Sequence, residues 1–96
     1  MSDEGIRAVG RALSSLLQIP VHSQSDLSAW YEAAARFRDL LNDQPENVLD
    51  SLPHELEHFL ADADIRLRDR EYARVQESRI RHLAVSLEAG LLEREP

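Results

Sequence analysis

The 96-residue chain has no cysteine and no lysine, one methionine, three glycines, and a single tryptophan among its few aromatic residues. The absence of cysteine removes disulfides, thiolate metal sites and cysteine nucleophiles together, while leaving the redox compartment open. No apolar run exceeds three residues, far short of the roughly 20 needed to cross a bilayer as a helix. The opening Met1-Ser2-Asp3-Glu4 lacks the features of a secretory leader, so the expected location is cytoplasmic. No glycine-rich phosphate loop, nucleophile elbow or Ser/His/Asp arrangement can be read from the chain. There is also no sustained apolar/polar alternation, no Asn-Gly or Asp-Gly hairpin signal and no internal repeat.

What the chain does have is helical periodicity, in a 10.9 kDa sequence that is 43% hydrophobic and 30% charged. That size predicts one helical domain over 1–96, with 91–96 as a frayed tail. Ile6, Val9, Leu13, Leu16 and Leu17 recur at three- and four-residue steps, and Ile19-Pro20 stops the pattern. Gly10 lies beside this stripe, either weakening the helix or admitting a neighbouring backbone. Ser25 is a candidate N-cap for a second helix, which carries Leu27, Trp30, Tyr31, Ala34, Phe37 and Leu41 on one face. Pro45 suits the first position of a short helix burying Val48, Leu49 and Leu52. A fourth helix opens at Ser51-Leu52-Pro53 and runs unbroken along Leu56, Phe59, Leu60, Ala63 and Leu67. Asp69 is the candidate N-cap of the last helix, striped by Tyr72, Ile80, Leu83 and Leu87 and ended by Gly90 in a left-handed conformation. The expected fold is all-α: a small bundle of four main helices plus one short helix.

Net charge is −7, which argues against nucleic acid and anionic membranes as general partners. Placement is more informative than the total. Between Arg38 and Arg66 there is no basic residue, while Asp39, Asp43, Glu46, Asp50, Glu55, Glu57, Asp62 and Asp64 supply acids. The following stretch carries Arg66, Arg68, Arg70, Arg74, Arg79 and Arg81. Either the two regions face each other, or the acidic middle captures a basic partner through charge complementarity.

One segment carries chemistry. His54-Glu55-Leu56-Glu57-His58 reads His-Glu-x-x-His, which on a helix puts both histidines on one face to hold zinc beside a glutamate that activates water. Continued to Asp64, it resembles the longer metzincin pattern. That resemblance implies His54, His58 and Asp64 as zinc ligands and Glu55 as the catalytic base. Ala61 stands where the pattern has its glycine turn, and Met1 is the only methionine. In the unbroken helix predicted above, Asp64 points about 120° away from His58. Both histidines then lie on the side opposite the core, as solvated surface residues. A second metal reading uses the Glu-x-x-His spacing of Glu55 and His58 with Asp62, completed by an oligomer because Glu32 and Glu77 sit on polar faces.

Two polar residues, Gln76 and Arg79, fall on the core side of the last helix. Arg79 is expected to reach the surface or pair with an acid on a neighbouring helix. The alternative is a pocket of Tyr72, Gln76 and Arg79 for an anionic ligand. Ile65 and Ala61 form a weak second apolar strip that a second copy could cover, so a homodimer is expected. The leading expectation is a non-enzymatic adaptor, regulator or inhibitor acting on a basic protein, with Tyr72, Gln76, Arg79, Asp62 and Asp64 as contact residues and no cofactor. The competing class is a zinc-dependent hydrolase, or a metal-binding bundle at an oligomer interface.

Overall fold

Six helices account for nearly all of residues 4–91, the part of the chain that the computed structural model describes: α1 (Glu4–Leu17), α2 (Gln24–Asn42), α3 (Glu46–Ser51), α4 (His54–Ala61), α5 (Ala63–Arg68) and α6 (Arg70–Glu88). No strand occurs among the described residues, and the protein is an all-α bundle. The predicted tail lies outside the described residues, apart from Leu91.

The helix ends follow local chemistry. Ser23, not Ser25, caps α2: its backbone is extended and its hydroxyl accepts the Asp26 N–H at 3.3 Å. Asp26 in turn accepts the His22 N–H at 2.8 Å, one residue before the cap and so next to the N–H that a capping box would use. Pro45 is the residue before α3 rather than its first, and its carbonyl accepts from Val48 and Leu49. Asp69 caps α6, accepting from Tyr72 N–H at 3.0 Å. Gly90 has φ 80°, and the bonds Leu91 N–H to Ser86 C=O and Gly90 N–H to Leu87 C=O close a Schellman motif.

The core is built from the predicted stripes. Val9, Leu13 and Leu16 of α1, Trp30, Ala34, Phe37 and Leu41 of α2, and Ile80, Leu83 and Leu87 of α6 are all buried. Each large side chain removed from water in this way contributes roughly 1.5–3 kcal/mol. The most extensive packing is between α1 and α6, and it depends on Gly10. A Cβ there would stand 2.5 Å from Glu88 N and 2.8 Å from Leu87 C, so Gly10 admits the α6 backbone.

Two expectations fail in the middle of the chain. The fourth helix is not continuous: it breaks at Asp62 (φ −105°, ψ 20°), separating α4 from α5. Tyr31, expected in the core stripe of α2, is 38% exposed. The two departures share a cause. The Tyr31 hydroxyl donates to Ala61 C=O at 3.2 Å and accepts from Asp64 N–H at 3.4 Å, and so plugs the break. A side chain inserted into a helix ladder is a recognised cause of kinking.

Candidate functional site

Pro53 precedes α4, and Glu55 and Glu57 occupy its first turn, where the helix dipole favours acids. His54 and His58 are both exposed. They line different grooves: His54 one of about 410 Å³ beside Arg38 and Leu52, His58 one of about 260 Å³ beside Tyr72 and Val75. Glu55 lies 3.7 Å from Arg79, and Glu57 lies 3.0 Å from Arg38. Asp64, the third ligand that the metzincin resemblance implies, lies 3.3 Å from the Tyr31 hydroxyl, whose one proton it shares with Ala61 C=O, and faces Arg68 at 3.7 Å. The reason given above for its distance from His58, an uninterrupted helix, is overturned by the break at Asp62. Among the described residues no group of three or more histidine, aspartate or glutamate side chains is placed to hold a metal ion. The histidine pair by itself offers two ligands, and a closed zinc site needs four positions filled.

Tyr72, Gln76 and Arg79 do line one groove, together with Glu55, His58 and Val75. Their polar atoms, however, are committed elsewhere. Arg79 is exposed and faces Glu55. The Gln76 amide nitrogen donates to the Tyr72 hydroxyl at 3.2 Å, and that hydroxyl donates to Asp62 at 2.6 Å. The bond to Asp62, then burial and the Asp62 charge, hold the Tyr72 phenol above its ordinary range. Gln76 Oε1 accepts from Arg66 Nη1 at 2.6 Å.

Arg66 is the residue that sequence reasoning missed. It is 1% exposed and among the largest fully buried side chains. Its guanidinium lies 4.7 Å from the Trp30 ring centroid and 4.3 Å from that of Phe59, and the two rings meet edge to face. Nη1 also donates to Phe59 C=O at 2.8 Å, a carbonyl in the last turn of α4, where intrahelical partners run out. On α5, Arg66 faces inward and Leu67 is only half-buried. A signal was available: Arg66 is seven residues after Phe59, close to the same helical face, and a buried Gln76 needs a partner.

Among the described residues no carboxylate bonds to Arg66. Its charge is held by two neutral acceptors and two ring faces, and burial pulls its pKa down while Glu77 pulls it up. Nη2 is the one buried side-chain nitrogen or oxygen, among the described residues, without a hydrogen-bond partner. No family model, no curated protein and no solved structure matches this chain. Its function is therefore argued from its own surface.

The acids of the middle region divide into two sets. Glu55, Glu57, Asp62 and Asp64 each contact a partner within the molecule. Asp39, Asp43, Glu46 and Asp50 are exposed and join none of the ion pairs among the described residues. Asp39 and Asp43 stand at the C-terminal end of α2, which carries no basic residue in its last turn. Each of the two pairs also has its members four residues apart.

Proposed function

We propose that this protein is a non-enzymatic interaction module that captures a basic protein through the end of α2 and through α3. The observation that carries the reading is the set Asp39, Asp43, Glu46 and Asp50. Acids at a helix C-terminus oppose the dipole, and like charges at i,i+4 repel. Glu46, in the first turn of α3, is favoured by that helix's dipole. Asp39, Asp43 and Asp50, however, stand at helix C-terminal ends and cost stability without a compensating ion pair among the described residues, as binding surfaces commonly do. A basic partner would gain on-rate and specificity from it more than affinity.

The test is a pull-down at low and at high salt, comparing the natural chain with the combined variant D39N/D43N/E46Q/D50N. Basic proteins retained by the natural chain at low salt, released at high salt and absent from the variant are the expected outcome. Retention that is identical for the variant, or no retention at either salt concentration, sinks the reading. A second copy of this chain is the other occupant with complementary charge, through the arginines of α6. Light scattering separates the two: a mass near 10.9 kDa assigns the surface to a different protein, and twice that mass assigns it to a homodimer.

A further inference from the structure

A groove of about 660 Å³ lies between the α1–α2 connection and one face of α6. Its sign is opposite to that of the whole molecule. The chain carries a net −7, yet the groove is lined by Arg66, Arg70, Arg74 and Arg81 against Glu71 and Glu77. On α6, Arg70, Arg74, Glu77 and Arg81 follow at steps of four, three and four, one helical face. The facing wall is mixed: Leu17, Ile19, Pro20 and Val21 give it an apolar part, and Gln18 and His22 line it beside them.

We infer that this groove binds a small organic anion, a phosphate or carboxylate head on a short apolar body, with Arg66 Nη2 as the buried donor to the head. Four observations support it. Nη1 is committed to Phe59 C=O and Gln76, while Nη2 is buried and unpartnered, and buried donors are nearly always satisfied. Arg66 carries a full charge with no carboxylate bonded to it, where buried charges are ordinarily paired. At the rim, Arg74 is occupied by Glu71. Arg70 makes only a long bond to Val21 C=O at 3.5 Å, and Arg81 joins no ion pair among the described residues, so both remain available to an anion. Guanidinium groups match the planar oxygens of carboxylate and phosphate, and the volume suits a small ligand. The lining contains no Phe, Tyr or Trp, the rings on which a single-stranded nucleic acid chiefly stacks. Glu77 is half-buried in the same groove and competes with the head for Arg66.

Calorimetric titration of the full chain with hexyl phosphate, hexanoate, inorganic phosphate and hexanol tests this. Saturable binding of hexyl phosphate or hexanoate is expected, with weaker binding of inorganic phosphate and none of hexanol; the tighter of the first two identifies the head. Arg70→Ala and Arg81→Ala, both at exposed positions, should each weaken binding by about two- to five-fold, as loss of an exposed charge pair does. Glu77→Gln should strengthen it. These variants leave Arg66 and its packing in place, so folding is not at issue. The combined variant D39N/D43N/E46Q/D50N should bind the anion unchanged, which keeps this site separate from the basic-partner surface. Absence of binding by either organic anion, inorganic phosphate binding as tightly as hexyl phosphate, or affinities indifferent to Arg70, Arg81 and Glu77 overturns the inference.

Discussion

Gly10 and Gly5 sit in the same helix and differ in what an added methyl would meet. At Gly10 the nearest atoms are α6 backbone, Glu88 N and Leu87 C; at Gly5 the nearest is Gln44 Oε1, the end of a flexible side chain. Gly10→Ala gains about 1 kcal/mol of helix propensity but must push α6 away, and overpacking of this kind costs about 1–3 kcal/mol. Backbone cannot swing aside, so the clash wins. Thermal melting should show Tm lowered by several degrees for Gly10→Ala, and unchanged or raised for Gly5→Ala. An unchanged Tm for Gly10→Ala contradicts the close approach. At this scale the sequence was ambiguous: Gly10 beside an apolar stripe fits both a weak helix and a tight crossing, and only the partner backbone decides. Arg66 was legible only through its seven-residue spacing from Phe59, for a related reason. An arginine reads as surface unless the acceptors and rings that house it are known, and those come from three different helices.

Between elements, the stripes were legible because burial repeats with the helix period, and the caps at Asp69 and Gly90 because their chemistry is local. The break at Asp62 was not legible, since no glycine or proline marks it. It is held by long-range bonds, from Tyr31 on α2 and from Tyr72 on α6. The Tyr72 bond has a measurable pH signature. Donation to Asp62, with burial and the Asp62 charge, raises the phenol pKa in the folded protein above the ordinary value of about 10. The linked stabilisation is therefore complete below pH ~10 and is lost as pH rises through the folded value. Urea midpoints followed from pH 7 to 11.5 should fall more steeply at the alkaline end for the natural chain than for Tyr72→Phe. At neutral pH the variant should be less stable by about 1–2 kcal/mol, having lost a partner for Asp62 and for Gln76. Parallel alkaline limbs would remove Tyr72 from the clasp.

For the whole molecule, the acidic excess includes a cluster of four exposed acids at the end of α2 and on α3. Neutralising Asp39, Asp43, Glu46 and Asp50 relieves two i,i+4 repulsions and the unfavourable dipole interactions of Asp39, Asp43 and Asp50, against loss of the favourable one of Glu46 in the first turn of α3. The combined variant should be more stable than the natural chain by about 1 kcal/mol at low ionic strength, with the gap closing near molar salt. A variant that unfolds more easily would mean that these acids support the fold. The charge division was visible in the sequence, but which acids are spent inside the molecule was not, because the pairs Arg38–Glu57 and Arg79–Glu55 join separate helices.

The close seat of α1 on α6 also sets the order in which this protein can become itself during synthesis. At roughly 5–20 residues per second, a ribosome releases Val9, Leu13 and Leu16 several seconds before the α6 residues that cover them. Through that interval α2 is available to the first helix's apolar stripe, but its larger wall, α6, is not. A nascent chain that stops before Leu87 leaves part of that stripe without its cover from α6.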